Sequence, residues 1–279
     1  MNVKTMKIIF IFSVFIFSLF ISGCSEPTTE NEYRNEIVVT GYLIAGKPID
    51  SIVVSKTLPI DVRYSATAAA IKNALVVVSS NGINDTLNPV NGKAGHYFSP
   101  QIIKPKQKYS LFVRVPDGRE IRGTTIVPDT FHIEQRPPSE MTYGHGIPYM
   151  TWTESALHHD YVMSITSLDM NETTPIGSDT PYADSIELSE RTSFTFGFEE
   201  IHQSQIPWFA FHFFGRNAIK VFAVDKNYYE FFRQIFSQST DIKEFKYNLQ
   251  GGIGIFGSAA VDSIHLVVKR PQLNAHNFY

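Results

Sequence analysis

The residues able to do chemistry are few. Cys24 is the single thiol. His158-His159-Asp160 offers nitrogen and oxygen donors in a row, and Glu154, Glu199 and Glu200 offer carboxylates. Asn248 to Gly257 (NLQGGIGIFG) gathers Gly251, Gly252, Gly254 and Gly257. Each suggests a chemistry that its context weakens. Neighbours on a strand point to opposite faces, so His158 and His159 chelate one ion poorly, and no His-Glu-x-x-His spacing occurs. The pair reads as a solvated turn, while His96, His132, His145, His202, His212 and His265 are scattered singly. A phosphate-cradling glycine loop opens a helix and carries Lys-Ser/Thr; this one precedes a strand and lacks them. It reads instead as a tight apolar bend under a helix, with glycines where backbone must approach closely. No Gly-x-Ser-x-Gly nucleophile elbow is present. A glycosidase pair needs carboxylates about 5–9 Å apart, which spacing along the chain does not set. These readings predict no catalytic residue, no metal, no cofactor and no enzymatic role.

Cys24 has a more informative context. Lys4 and Lys7 precede an almost unbroken apolar run from Ile8 to Ile21, and Leu19-Phe20-Ile21-Ser22-Gly23-Cys24 closes it. This order is that of a secretory signal. The run is roughly 14 residues, short of the ~20 a spanning helix needs. Leu19 to Cys24 resembles the lipobox of bacterial lipoproteins. That resemblance implies cleavage between Gly23 and Cys24, then acylation of the thiol and the new amino group. Stable attachment takes two such signals, at ~0.8 kcal/mol per buried methylene. Residues 1–23 are thus expected to be the signal peptide, with the lipid as membrane anchor. An acylated Cys24 leaves no thiol for a disulfide or a metal.

The chain beyond Cys24 is expected to hold together by its core. The protein is 43% hydrophobic and 18% charged, the balance of a globular protein rather than a disordered one. Its net charge of -3 argues against a nucleic-acid partner, which selects a basic face. Twenty-two Phe and 13 Tyr point to β-structure and aromatic surfaces.

Residues 24–35 read as a flexible polar tether. From 36 to 128, β-rich runs alternate with turn signals: Glu36–Ile44, Ser51–Lys56, Ala74–Ser80, Ile83–Leu87, Tyr97-Phe98, Lys108–Val115 and Glu120–Val127. Asp61–Ala70 reads as a loop or short helix. Asn81-Gly82 suits a type I′ turn, and Asp117-Gly118 is expected to act the same way. About seven short strands at this spacing predict an immunoglobulin-like antiparallel β-sandwich. A second β-rich domain is expected over 129–270. It would have strands at Tyr149–Glu154, Tyr161–Ser167, Phe194–Phe198, Pro207–Phe214, Lys220–Val224 and Val261–Lys269. Met141–Ile147 and Leu168–Ile186 read as loops. Asp225 can cap a helix near 226–237, whose stripe of Tyr228, Phe231, Phe232 and Ile235 would lie on the sheet. Residues 271–279 read as a loose tail. The fold class is therefore mainly β, with one amphipathic helix in the second region. In Pro207–Phe214 (PWFAFHFF), alternation puts Trp208 and Ala210 on one side and Phe209, Phe211 and Phe213 on the other. Buried core on both faces is one reading. A partner-docking patch of Trp208, Phe209, Phe211 and Phe213 is the other.

Three segments resemble one family, the Bacteroidota lipoproteins catalogued as domain of unknown function 4249. They are Cys24 with Glu36–Leu43; Tyr109, Leu111, Val113, Asp117-Gly118, Thr124 and Val127-Pro128; and Asn248–Gly257, where Gln250 replaces a usual acidic residue. The resemblance implies an outer-membrane lipoprotein, facing the periplasm or the cell surface, with a TonB-dependent receptor as partner. It carries no catalytic residues. The expected function is a non-catalytic accessory or ligand-binding subunit; the alternative is a structural or adhesive envelope protein with no small ligand.

Overall fold

One long strand, β17 (Ile253–Lys269), joins the two halves of the chain in this computed structural model. The structure describes residues 33–157, 160–169, 193–199, 201–236 and 245–271. The expected signal peptide, Cys24, most of the tether, His158-His159, most of the Leu168–Ile186 loop and all but the first residue of the tail lie outside them.

The first half of β17 pairs in parallel with β1 (Ile37–Ile44), from Val38 opposite Ile253 to Ile44 opposite Ala259. From Ala259 to Val268 its other edge pairs antiparallel with β15 (Gly215–Val224). A nine-stranded sheet grows outward from this seam. On one side β1 meets β2 (Pro48–Lys56), then β6 (His96–Ile102) and β5 (Asn88–Pro89). On the other, β15 meets β12 (Asp160–Ser167) and β13 (Ser193–Glu199), and β10 (Glu140–Thr142) pairs with the end of β17. A five-stranded sheet contains β3 (Leu75–Ser80), β4 (Ile83–Thr86), β7 (Lys108–Arg114), β8 (Glu120–Ile126) and β16 (Leu249–Gln250). A three-stranded sheet holds β9 (Ile133–Gln135), β11 (Tyr149–Trp152) and β14 (Gln203–Gln205).

Alternation explains why these runs are strands. In β1, Ile37, Val39 and Leu43 are buried while Val38, Thr40 and Tyr42 are half-buried toward the other face. Val76 and Val78 of β3, Leu111 and Val113 of β7 and Ile121 of β8 belong to the same core as β1. So do Tyr161 and Met163 of β12, Ile219 and Val221 of β15, and Leu266 and Val268 of β17. The opposite face of the large sheet carries the helix Lys226–Phe236. There Val162, Val224 and Ala259 pack with Tyr229, flanked by Phe222, Tyr228 and Phe232. β17 is thus covered on both faces, and every residue from Gly254 to Ala260 is buried.

The mainly β class holds, with antiparallel pairing predominant among the described strands. The expected division between 36–128 and 129–270 does not divide the core. Described residues from Asn35 onward belong to one compact unit, because β17 supplies partners to both regions. Asp61–Ala70 is a loop ending in a short helix, Ala66–Ala69, capped by Ser65. Asn81 and Gly82 both have positive φ, as a type I′ turn requires. Asp117-Gly118 differs: only Gly118 has positive φ, and its N–H donates to the Val115 carbonyl at 2.9 Å. Pro116 sets the first corner, giving a three-residue loop with glycine in the left-handed position.

The Pro207–Phe214 strand is corrected. Trp208–Ala210 form a turn of 3-10 helix, with Ala210 N–H donating to the Pro207 carbonyl and Phe211 N–H to that of Trp208. Aromatic residues favour strands only where a neighbouring strand is available, and Pro207 starts the turn by removing a donor. The final strand, expected from Val261, begins at Ile253. Met141–Ile147 is not loop throughout, since β10 reaches Thr142.

Asp225 caps its helix as expected, with Oδ1 accepting from Tyr228 N–H at 2.9 Å. The helix stripe is rotated from the expected one. Tyr229 is buried and Ile235 is 54% exposed. With aromatics at Tyr228, Tyr229, Phe231 and Phe232, two neighbouring stripes have similar apolarity, and sheet contact selects between them.

Candidate functional site

The sequence-predicted docking aromatics separate in space. Phe211 and Phe213 are core residues, while Phe209 is 66% exposed. A 3-10 turn sends successive side chains about 120° apart, so Trp208, Phe209 and Ala210 point three ways. Trp208 is half-buried against the core, and its Nε1 donates to the Gly146 carbonyl at 2.8 Å. Its ring meets Tyr143 at 5.2 Å and Phe211 at 5.7 Å; Tyr143 in turn meets Phe214 edge-on. The Arg270 guanidinium lies 5.1 Å over the Phe214 ring. Ile206 N–H donates to the Pro148 carbonyl, tying the 146–148 and 206–208 segments together. Phe209 and Ile147, 56% exposed, stand out on the two segments so joined. Of the four aromatics expected in one patch, Phe209 is exposed and Trp208 half-buried, and Ile147 is exposed on the neighbouring segment.

A cavity of about 490 Å³ lies beside the three-stranded sheet, lined by Glu134, Thr151, Trp152, Ile201, His202 and Gln203. Trp152 and His202 both contact the ring of Tyr161, at 5.5 Å each. Burial pushes the Tyr161 hydroxyl pKa up, against a hydrogen bond from Ser155 N–H that pulls it down. Glu134 is the one carboxylate of this lining, so the lining holds no carboxylate pair of the glycosidase kind. Glu154 is exposed and does not line this cavity. The side chains of Glu199 and Glu200 lie outside the described residues.

A Ser–Thr–Asp cluster went unnoticed in the sequence. Thr125 Oγ1 donates to Asp225 Oδ2 at 2.5 Å and meets Ser258 Oγ at 2.6 Å. Ser258 N–H donates to Asp225 Oδ1, and Asn227 Nδ2 to Asp225 Oδ2. All three residues of the cluster are at most 2% exposed. A substrate cannot reach such a set, and its hydrogen bonds fasten β8, β17 and the helix together. Only spacing across the whole chain brings these residues together, so no local motif announces them.

The glycine motif is structural in its geometry. Gly254 has φ +112, and a Cβ there would lie 2.1 Å from the Val39 carbonyl oxygen. A Cβ on Gly257 would press on Asp225 at 3.2 Å and on Tyr228 at 3.3 Å; Gly254 and Gly257 lie within β17, so the stretch expected as a bend is here a strand passing under the helix. Gly251 and Gly252 pass close to the Glu120 and Ile37 carbonyls. Asn248 closes the motif: its Nδ2 donates to the Phe256 carbonyl at 2.6 Å and its Oδ1 accepts from Phe256 N–H at 3.0 Å. The side-chain amide thus serves β17 as a short surrogate strand.

On the five-stranded sheet, the Arg114 and Arg122 guanidinium groups stack on Phe112 and both pair with Glu120. Arg122, then Arg114, holds the Glu120 carboxyl pKa below the usual range. Among the described residues, no group of three or more His, Cys, Asp or Glu could hold a metal ion. No described helix is long and apolar enough to cross a membrane.

The family model described as "Domain of unknown function (DUF4249)" matches residues 25–265. The chain belongs to this family. No curated protein matches it. Among solved structures it is similar to the crystal structure of chicken CNTN1 FN1-FN3 domains, at 10% identity and a TM-score of 0.29. That match covers 84% of this chain and 67% of the other.

Proposed function

We propose that this DUF4249 member is a lipid-anchored lipoprotein of the outer membrane. In this reading it is a non-catalytic accessory or ligand-binding subunit beside a TonB-dependent receptor. The observation that carries the reading is Cys24, the single thiol, closing an apolar leader just before a compact β body. Acyl chains on Cys24 would supply the membrane affinity. The exposed Phe209 and Ile147 suit a protein contact, since aromatic anchors are enriched at interfaces.

Membrane purification with cross-linking of the full chain tests the reading. The expected result is acyl mass on Cys24 and a cross-link to an outer-membrane receptor that Phe209→Ser weakens. Cys24→Ala should leave the protein in the fraction not held by membranes. An intact leader, or no acyl mass, rules out the anchor. Acylated protein with no receptor cross-link supports the structural or adhesive alternative instead.

A further inference from the structure

The hairpin loop between β5 and β6 faces the segment that joins the short helix to β3. Between them lies a cavity of about 520 Å³, within the ~300–1,000 Å³ range of small-molecule sites. Lys72 and Asn73 come from the connecting segment, Asn91 and Lys93 from the hairpin loop, and Val90 and Tyr97 add apolar surface. No Asp or Glu lines it, although acidic residues outnumber basic ones in the whole chain, 27 to 24. Neither lysine forms an ion pair with a described residue. Lys72, Asn73, Asn91 and Lys93 are all exposed, and the two lysines bring positive charge to a cavity with no carboxylate in its lining.

Both walls are fixed to the same point of the large sheet. Val54 of β2 donates its N–H to the Gly95 carbonyl at 2.8 Å, and its carbonyl accepts from Ile71 N–H at 3.0 Å. Gly95 seats the hairpin loop tightly, since a Cβ there would lie 2.7 Å from the Val54 oxygen. Tyr97 Oη donates to the Ile71 carbonyl at 3.1 Å and accepts from Ala74 N–H at 2.9 Å, bracing the segment that carries Lys72 and Asn73. The loop carrying Asn91 and Lys93 is closed by Val90 N–H to the His96 carbonyl and His96 N–H to that of Lys93. His96 is held in turn by Ser51, Oγ to Nδ1 at 2.8 Å. Walls braced in this way lose little freedom when a ligand enters.

We propose that this cavity binds a small hydroxylated organic anion. Lys72 and Lys93 receive the carboxylate oxygens, and the Asn73 and Asn91 amides receive hydroxyl groups, for which they offer both donors and an acceptor. The assignment deepens the ligand-binding side of the proposed function, yet it rests on the cavity and needs neither acylation nor a receptor.

Calorimetric titration of the full chain in detergent, with no receptor present, tests it. The probes are glucuronate, its neutral counterpart glucose, and inorganic sulfate. Glucuronate is expected to saturate at millimolar concentration or below. Glucose and sulfate should each bind about tenfold more weakly or worse, since each lacks one half of the recognised chemistry. Lys72→Gln with Lys93→Gln should weaken glucuronate about tenfold or more while leaving the melting temperature unchanged, and added salt should weaken it too. No saturation by glucuronate, equal binding of glucose or of sulfate, or undiminished binding by the double variant would overturn the assignment. A blank titration leaves the cross-linking result untouched, and a missing receptor leaves the titration untouched, so the two failures can be told apart.

Discussion

Two stretches of unusual composition, Asn248–Gly257 and Pro207–Phe214, meet opposite structural fates. In the first, each distinctive residue answers a close contact: Gly254 passes the Val39 carbonyl, Gly257 passes under Tyr228, and Asn248 completes the hydrogen bonding of Phe256. In the second, five aromatics in a short run scatter between core and surface, with Phe211 and Phe213 inside and Phe209 outside. The difference lies in what each residue type demands. A glycine at positive φ under a carbonyl tolerates few substitutes, so its position is over-determined. An aromatic ring is satisfied by any apolar neighbour, and tertiary packing decides which it meets.

The sharpest test of this contrast is Gly254→Ala. A methyl group 2.1 Å from the Val39 oxygen, at φ +112, should cost about 4 kcal/mol or more or prevent folding, read by urea denaturation. Mild destabilisation would show that the β1–β17 seam yields easily. Asn248→Ala removes both bonds to a Phe256 that is fully buried and should cost about 2–3 kcal/mol in the same assay.

Tyr42 lies opposite Gly257 on the seam, and its ring packs 5.0 Å from Tyr228 of the helix. Burial, then the neighbouring Tyr228 hydroxyl, pushes its pKa up to about 12; burial also raises that of Tyr228. Unfolded tyrosines ionise near pH 10, ahead of this folded pair, so stability is full below about pH 10 and falls between about 10 and 12. The loss should be on the order of 2 kcal/mol for Tyr42, and Tyr42→Phe should flatten that part of the pH–stability curve. The smallest expected effect belongs to the aromatic stretch: Phe209→Ser should change stability by no more than about 0.5 kcal/mol, by thermal melting, because the ring is largely in solvent. A larger loss would place Phe209 with the core.

Local chemistry was readable where it acts over a few residues. The alternation of Ile37, Val39 and Leu43, the positive φ pair Asn81-Gly82 and the Asp225 cap arise from side chains meeting their own backbone. The candidate sites were less legible. Trp208 and Phe209 stood out by composition, but alternation misplaced their neighbours because the run turns at Pro207. Lys72 and Lys93 belong to separate loops that the hydrogen bonds of Val54 and Tyr97 bring together. The Thr125, Ser258 and Asp225 cluster likewise joins three distant segments.

Propensity, period and turn chemistry are short-range, so the β class, most strand positions, the helix with its cap and the places where glycine is required could be read along the chain. That the described residues of the two regions form one body follows from long-range pairing alone. Parallel pairing of β1 with β17 joins the beginning and the end of the described chain. Such pairing leaves no mark within a window of neighbours, because backbone hydrogen bonds between distant strands are the same whichever side chains flank them.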